Sequence, residues 1–302
     1  MSHLASSPRT KEISVIRPQE ALEEQICAVH KPDYLRRLEA FGTGMLDPDT
    51  WMTSGSLTAA KFAVGAAVCA VDQVMAGRPL AFSLARPPGH HALPDRSMGF
   101  CILNNAAVAA AHALSSGSKK VLVVDWDVHH GNGTQHIFYD TPNVLYFSVH
   151  QSRHFPFTGR AVETGEGNGR GYTVNVPLPP GSGDSDYIEA FRRLLVPIAD
   201  EYRPDLVIVS AGFDPAKGDM LGDMVMTPAG FRQLAFLVRS MGNIKGTVAL
   251  LEGGYSGLLP KCVEASIQGF LGESDEIDTI IPGPTKFHIQ EAVRIQQHYW
   301  RL

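Results

Sequence analysis

Asp125-x-Asp127-x-His129 is the segment of this sequence best equipped to do chemistry. On an extended chain alternate residues share a face, so two carboxylates and an imidazole point the same way. Buried beside apolar residues, such a trio would repel and desolvate badly unless a cation offsets it. Oxygen and nitrogen donors without thiolate suit zinc, or iron(II) in the same geometry. Asp214, at the end of another apolar run, can add a further carboxylate. Three protein ligands plus a water is the open coordination of a catalytic metal. Asp127, His129 and Asp214 are the candidate ligands; Asp125 could serve instead to orient a histidine from behind.

His90-His91 follows Pro87-Pro88-Gly89, where two prolines stiffen the approach and a glycine allows a tight turn. A lone histidine in a loop is ordinarily solvated and idle. An adjacent pair at the same edge as a carboxylate cluster suits general acid–base work, with Asp125 and Asn132 as orienting partners. Tyr255 follows Gly253-Gly254, and its hydroxyl could donate to an oxyanion opposite a metal; the plainer reading is an aromatic buried under a loop. His30, His112, His136, His154, His288 and His298 read as structural or exposed. Gly165-Glu166-Gly167-Asn168-Gly169 lacks the Lys-Ser/Thr and helix of a phosphate loop.

The elements that must position these groups are short apolar runs at residues 80–84, 121–126, 144–149, 206–210 and 247–251. They are largely β-branched or aromatic and apolar on both faces, as parallel strands covered by helices are. Helical patterns cover residues 18–41, 56–75, 105–114, 185–202, 228–240 and 258–271. Ala21, Leu22, Ile26, Val29, Tyr34, Leu35 and Leu38 are core candidates in the first; Asp184 or Ser185 can cap the fourth, and Thr227 with Pro228 starts the fifth. Strand–helix alternation implies a doubly wound parallel sheet. With no separating linker, residues 1–302 read as one domain with an irregular segment at 1–20. The polar residues follow the strands, at the edge where open α/β sheets bind ligands.

The 302 residues are 44% hydrophobic, enough for a large core. A net charge of −5 lacks the basic excess of a nucleic-acid surface. The four cysteines (Cys27, Cys69, Cys101 and Cys262) are scattered, which suits a reducing compartment better than a disulfide frame. With no run of about 18 apolar residues and no signal pattern, the expectation is a cytoplasmic protein without a membrane span.

Arg86-Pro87-Pro88-Gly89-His90-His91, Gly99-Phe100-Cys101, Asp125 to Gly133, Phe155-Pro156-x-Thr158-Gly159, Ala211-Gly212-Phe213-Asp214 and Glu252-Gly253-Gly254-Tyr255 occur in that order. Together they resemble the histone deacetylase and acetylpolyamine amidohydrolase family, most closely its class II branch with the bacterial histone-deacetylase-like amidohydrolases. The similarity runs from about Ala21 to the C-terminus, where His298-Tyr299-Trp300 resembles class II tails. It implies the arginase/deacetylase fold, a three-layer α/β/α sandwich with a mainly parallel central sheet. It also implies zinc on Asp127, His129 and Asp214, His91 as principal general base and acid, and His90 as its electrostatic partner paired with Asp125. Tyr255 would polarise the scissile carbonyl, Asn132 marks the class II branch, and Gly99, Phe100 and Phe155 would line a narrow channel. Family members bind potassium beside the zinc, and Asp125, Asp127, His129 and Ser148 match those positions.

Two departures bear on substrate. The family's N-terminal His-Pro-x-x-x-x-Arg region is not recognisable, which touches the pocket rim and contacts between copies; homo-oligomerisation is left open. Leu221 stands where acetylpolyamine-selective relatives carry a glutamate, and an apolar residue cannot repay the desolvation of a second ammonium. The expected activity is therefore hydrolysis of the acetyl amide of acetyl-lysine in a protein or peptide, with an acetylpolyamine or other acyl-amine as the alternative. Of the rivals, a two-manganese ureohydrolase wants a second full ligand set, and a non-enzymatic acyl-lysine binder would have lost a ligand or Tyr255. A structural zinc domain prefers four closed ligands.

Overall fold

Alternate residues of each apolar run face opposite sides of one sheet. Val121 and Val123 join a core with Val71 and Ala106, from helices Ser56–Met75 and Asn105–Ser115. Leu122 and Val124 join another with Phe231 and Cys262, from helices Pro228–Arg239 and Leu259–Phe270. The period of two on a strand buried on both faces dictates this split. Each fully buried Val, Leu or Phe contributes roughly 1.5–3 kcal/mol relative to exposure.

The computed structural model describes residues 13–242, 244–275, 277 and 283–302. Strands β1 (Gly44–Asp47) and β2 (Thr50–Met52) form an antiparallel hairpin. Strands β3 (Leu80–Ser83), β4 (Val121–Asp125), β5 (Val144–Gln151), β6 (Thr173–Leu178), β7 (Leu206–Ala211) and β8 (Thr247–Leu251) form a parallel sheet ordered β3-β8-β7-β4-β5-β6. From β4 the chain winds outward to β5 and β6, then returns through β7 to β8 on the other side. The switch point therefore lies between β4 and β7, where a crevice opens at the carboxyl ends of the strands. Helices on both faces complete the α/β/α sandwich. By length and composition Ser56–Met75 would pass for a membrane span, but half of that helix is buried inside the protein.

Several elements depart from the sequence reading. The helix expected over 18–41 is two, Glu23–Cys27 and Pro32–Phe41, because the residue before a proline avoids the helical region and Lys31 is extended. Leu22, expected in the core, is exposed ahead of the first of them. The helix expected over 185–202 starts on Gly183, and Asp184 instead accepts hydrogen bonds from Thr227 N and Oγ1. That helix widens into a π-turn at Phe191–Leu195, just before Pro197, which has no N–H to donate. Thr227 and Pro228 start the next helix as expected.

Strand β6 was not anticipated, because Asn175 and Pro177 interrupt its apolar run. As an edge strand it tolerates the proline. Helix Gly283–Gln296 also lacked a clear pattern; Gln296 Nε2 donates to Thr173 O and covers that edge. Residues 13–20 are irregular, as expected, and 1–12 lie outside the described residues.

His30 shows how buried polar groups tie the outer helices to the site loops. Asn104 N donates to its Nε2 at 2.9 Å, which leaves the ring proton on Nδ1. Burial lowers its pKa from 6.5 to about 4, against the Leu93 and Pro94 carbonyls. Between those values the unfolded chain binds more protons than the folded one, so stability falls as pH drops through the window. The full loss is on the order of 3 kcal/mol. The prediction is that His30→Gln flattens the fall in urea-unfolding free energy between neutral pH and about pH 4. Parallel curves for parent and variant would rule His30 out as the titrating group.

Candidate metal centre and active site

Asp125 is the last residue of β4, and the chain bends immediately after it. The extended alternation expected through His129 therefore stops early. A local turn does the converging: Asp127 Oδ1 accepts from His129 N at 2.9 Å and lies 3.0 Å from His129 Nδ1. Asp214, beyond β7, brings its Oδ2 to 3.2 Å from the same nitrogen. Among the described residues, Asp127, His129 and Asp214 are the one group able to hold an ion, with ligand atoms within 4.8 Å of one another.

These residues fit a metal on several grounds. Asp214 Oδ2 is buried and has no hydrogen-bond partner, a costly state for a carboxylate oxygen. Asp127 and Asp214 are fully buried side by side. Burial and the Asp127 carboxylate both push Asp214 up, so the pair calls for positive charge. Burial alone would lower His129, but the two carboxylates hold it up at about 10, making the imidazole the counter-charge when no cation is bound. Backbone N–H groups of Gly253 and Val128 hold the remaining oxygens, Asp127 Oδ2 and Asp214 Oδ1, at 2.8 Å each. A side chain at Gly212 or Gly253 would strike these carboxylates.

The histidine pair sits across from the ligands. His90 Nδ1 lies 3.0 Å from Asp125 Oδ2, which also accepts from Tyr146 Oη at 3.0 Å. His91 Nδ1 lies 2.8 Å from Asn132 Oδ1. Burial alone would lower His90, but Asp125, Asp127 and Glu252 outweigh it and hold the ring well above its ordinary value. Burial, then the His90 and His129 rings, push His91 well below. One imidazole is thus cationic and its neighbour neutral, a separation of acid and base by environment. Glu252 Oε2 accepts from Gly89 N and His90 N at 2.7 and 3.2 Å, binding the His90-His91 turn to the end of β8.

A cavity of about 390 Å³ joins these parts, lined among others by His91, Gly99, Phe100, Phe155, Leu221 and Tyr255. Of the residues expected from the sequence, the candidate ligands, His90, His91, Tyr255 and the channel residues line it; Asp125 and Asn132 stand behind His90 and His91, and Ser148 is buried in β5 opposite Asp125. Gly99 must be glycine, since a Cβ there would lie 2.3 Å from His91 Cδ2. Phe100 has φ +65°, unusual for a bulky residue. The hairpin supports that strain: Asp49 Oδ1 accepts from Gly99 N at 3.0 Å and Thr50 Oγ1 from Phe100 N at 3.1 Å.

The sequence reading missed Asp49 and misplaced His154. Asp49 lies in a turn with no neighbouring pattern to mark it. His154, read as structural or exposed, lines the cavity and stacks on His129 with ring centroids 5.1 Å apart. Its Nε2 donates to Leu221 O at 2.8 Å. Its place in the long loop beside Phe155 was the available signal.

The histone deacetylase domain model matches residues 1–270. Histone deacetylase 15 of Arabidopsis thaliana is 40% identical over 300 residues, covering 94% of this chain and 54% of its own. The histone deacetylase-like amidohydrolase of Pseudomonas aeruginosa is 41% identical over 263 residues, covering 83% and 69%. The crystal structure of the HDA15 HD domain superposes with a TM-score of 0.93 at 38% identity, over 99% of this chain and 85% of that one. This chain spans about half the length of the Arabidopsis protein. The domain match over most of the sequence, with these identities, means that the chain belongs to the histone deacetylase family.

Proposed function

We propose that this protein is a zinc-dependent deacetylase that hydrolyses the acetyl amide of acetyl-lysine in a protein or peptide. One observation carries the reading: Asp127, His129 and Asp214 converge at the same cavity as His91 and Tyr255. Zinc held by those three ligands supplies Lewis-acid polarisation of a carbonyl and acidification of water.

The remaining steps belong to side chains. Asn132 Oδ1 accepts the His91 Nδ1 proton, so His91 Nε2 is the free base that takes a proton from water. His90, cationic against Asp125, stabilises the negative charge that develops nearby. Burial and Asp127 push the Tyr255 phenol well up, so it stays protonated and donates to the acetyl oxygen. A histidine returns a proton to the departing amine. Phe100 and Phe155 grip the aliphatic stem between their rings.

Leu221 favours acetyl-lysine over an acetylpolyamine. Its N–H donates to Asp219 Oδ1 at 3.1 Å and its carbonyl is engaged by His154. An apolar side chain there offers a second ammonium nothing in exchange for its hydration.

Potassium at Asp125 and Ser148 is part of the same proposal. The two are register partners on β4 and β5. His150 Nε2 must donate to Gly159 O, so His150 Nδ1 accepts the Ser148 hydroxyl proton at 2.9 Å. With its proton so directed, Ser148 Oγ can turn a lone pair toward a cation.

The deciding experiment is a deacylation screen of acetyl-lysine peptides against acetylated polyamines, with metal content measured on the same sample and potassium exchanged for tetramethylammonium. The expected result is turnover of the peptides, near one zinc per chain, and a lower Tm without potassium. Turnover of polyamines alone would overturn the substrate assignment. Activity at background in a fully zinc-loaded sample would overturn the enzyme.

A further inference from the structure

Tyr255 leaves β8 through two glycines, an arrangement that by itself leaves the ring poorly fixed. Gly253 is anchored on both sides: its N–H donates to Asp127 Oδ2 at 2.8 Å and its carbonyl accepts from Phe213 N at 2.9 Å. Gly254 then turns the chain with φ +126°, a conformation open essentially to glycine. Beyond this point backbone pairing with β7 ceases, and Tyr255 is 36% exposed. A donor that must meet one oxygen of a bound carbonyl needs tighter control than a glycine hinge gives.

The control comes from two charged side chains acting on a single peptide group. Arg86 Nη2 donates to Gly254 O at 3.0 Å, and Tyr255 N donates to Asp219 Oδ2 at 2.6 Å. These atoms belong to the same peptide plane, so both its polar ends are held by ionised partners, the stronger class of hydrogen bond. The Arg86 guanidinium also lies 5.1 Å from the centroid of the Tyr255 ring. Asp219 is nearly buried, and its other oxygen accepts from Leu221 N. The same carboxylate therefore links Tyr255 to Leu221, another residue lining the cavity.

We propose that Asp219 and Arg86 form a clamp on the Gly254–Tyr255 peptide and act as positioning residues for the Tyr255 hydroxyl. This rests on the deacetylase reading above, in which that hydroxyl meets the acetyl oxygen. It explains why a tyrosine with this task can follow two glycines: the hinge sets the turn and the charges set the angle. Arg86, in the residues leading to His90-His91, also ties the loop carrying the base to the segment carrying the donor.

The test is a double-mutant cycle read on a fluorogenic acetyl-lysine peptide, with amide hydrogen exchange at Tyr255 as a second readout. Asp219→Ala is expected to lower kcat by roughly tenfold to a hundredfold, the cost of a misplacement near 1 Å, with a much smaller change in KM. In a Tyr255→Phe background the same substitution should cost little more, because its effect passes through the missing hydroxyl. An equal loss in both backgrounds would overturn the clamp. Should Asp219→Ala not fold, Asp219→Asn and Arg86→Lys keep the shape or the charge. They are expected to speed exchange at the Tyr255 amide while zinc content stays at the parent level, and unchanged exchange would equally overturn the proposal. If the parent protein hydrolyses no acetylated amine, the deacetylase reading fails instead, and the exchange result still decides whether the clamp exists.

Discussion

Replacing Tyr255 by Phe is expected to lower kcat by on the order of 10²–10³, the cost of removing one oxyanion donor. The ring is retained, so its edge contact with Phe100, at 6.3 Å between centroids, and the Arg86 stacking should survive. Only the hydroxyl is lost, and with it the donor that the proposed reaction requires at the acetyl oxygen. Thermal unfolding and zinc content should match the parent, and KM should change far less than kcat, because the bond strengthens as charge develops. Steady-state kinetics on an acetyl-lysine peptide, with metal analysis of the same preparations, checks this. Parent-like turnover by the variant would remove Tyr255 from the chemistry and leave it a wall of the channel.

What could be read from the sequence followed from how directly a residue's neighbours constrain it. Val121 to Val124 are buried on both faces, so their apolar run had few alternative readings, and the polar residues after β4, β7 and β8 had to emerge at one edge. Strand β6 pairs on one side only and tolerates Asn175 and Pro177, so its composition looked like loop. Asp49 and His154 depend on contacts across the fold: one holds Gly99 from a hairpin 50 residues earlier, the other stacks on His129 from the loop after β5. Neither shows as local pattern. The ligands illustrate a different case. Alternation pointed to Asp127 and His129, yet the chain is no longer extended there, and an aspartate-centred turn brings them together.

The metal centre carries the other large effect, and it separates function from stability. Asp214→Asn should bring hydrolysis to background and zinc content to a small fraction of one per chain, since one of three ligands loses its charge. Without metal, however, the two buried carboxylates share a single cationic ring, His129, and Asp214 Oδ2, though 3.2 Å from its Nδ1, makes no aligned hydrogen bond. An amide at that position keeps an oxygen for Val128 N, now 2.8 Å from Asp214 Oδ1, and offers a donor where a second negative charge stood. The metal-free variant is therefore expected to melt at or above the metal-free parent, by up to several degrees. Zinc should raise the Tm of the parent and leave that of the variant nearly unchanged, because only a protein that binds the ion gains from mass action. Calorimetry of both proteins, with and without zinc, reads all of this at once. A metal-free variant that melts well below the metal-free parent would show that Asp214 holds the fold together through its charge, and a zinc-loaded, active variant would show that the ion sits elsewhere.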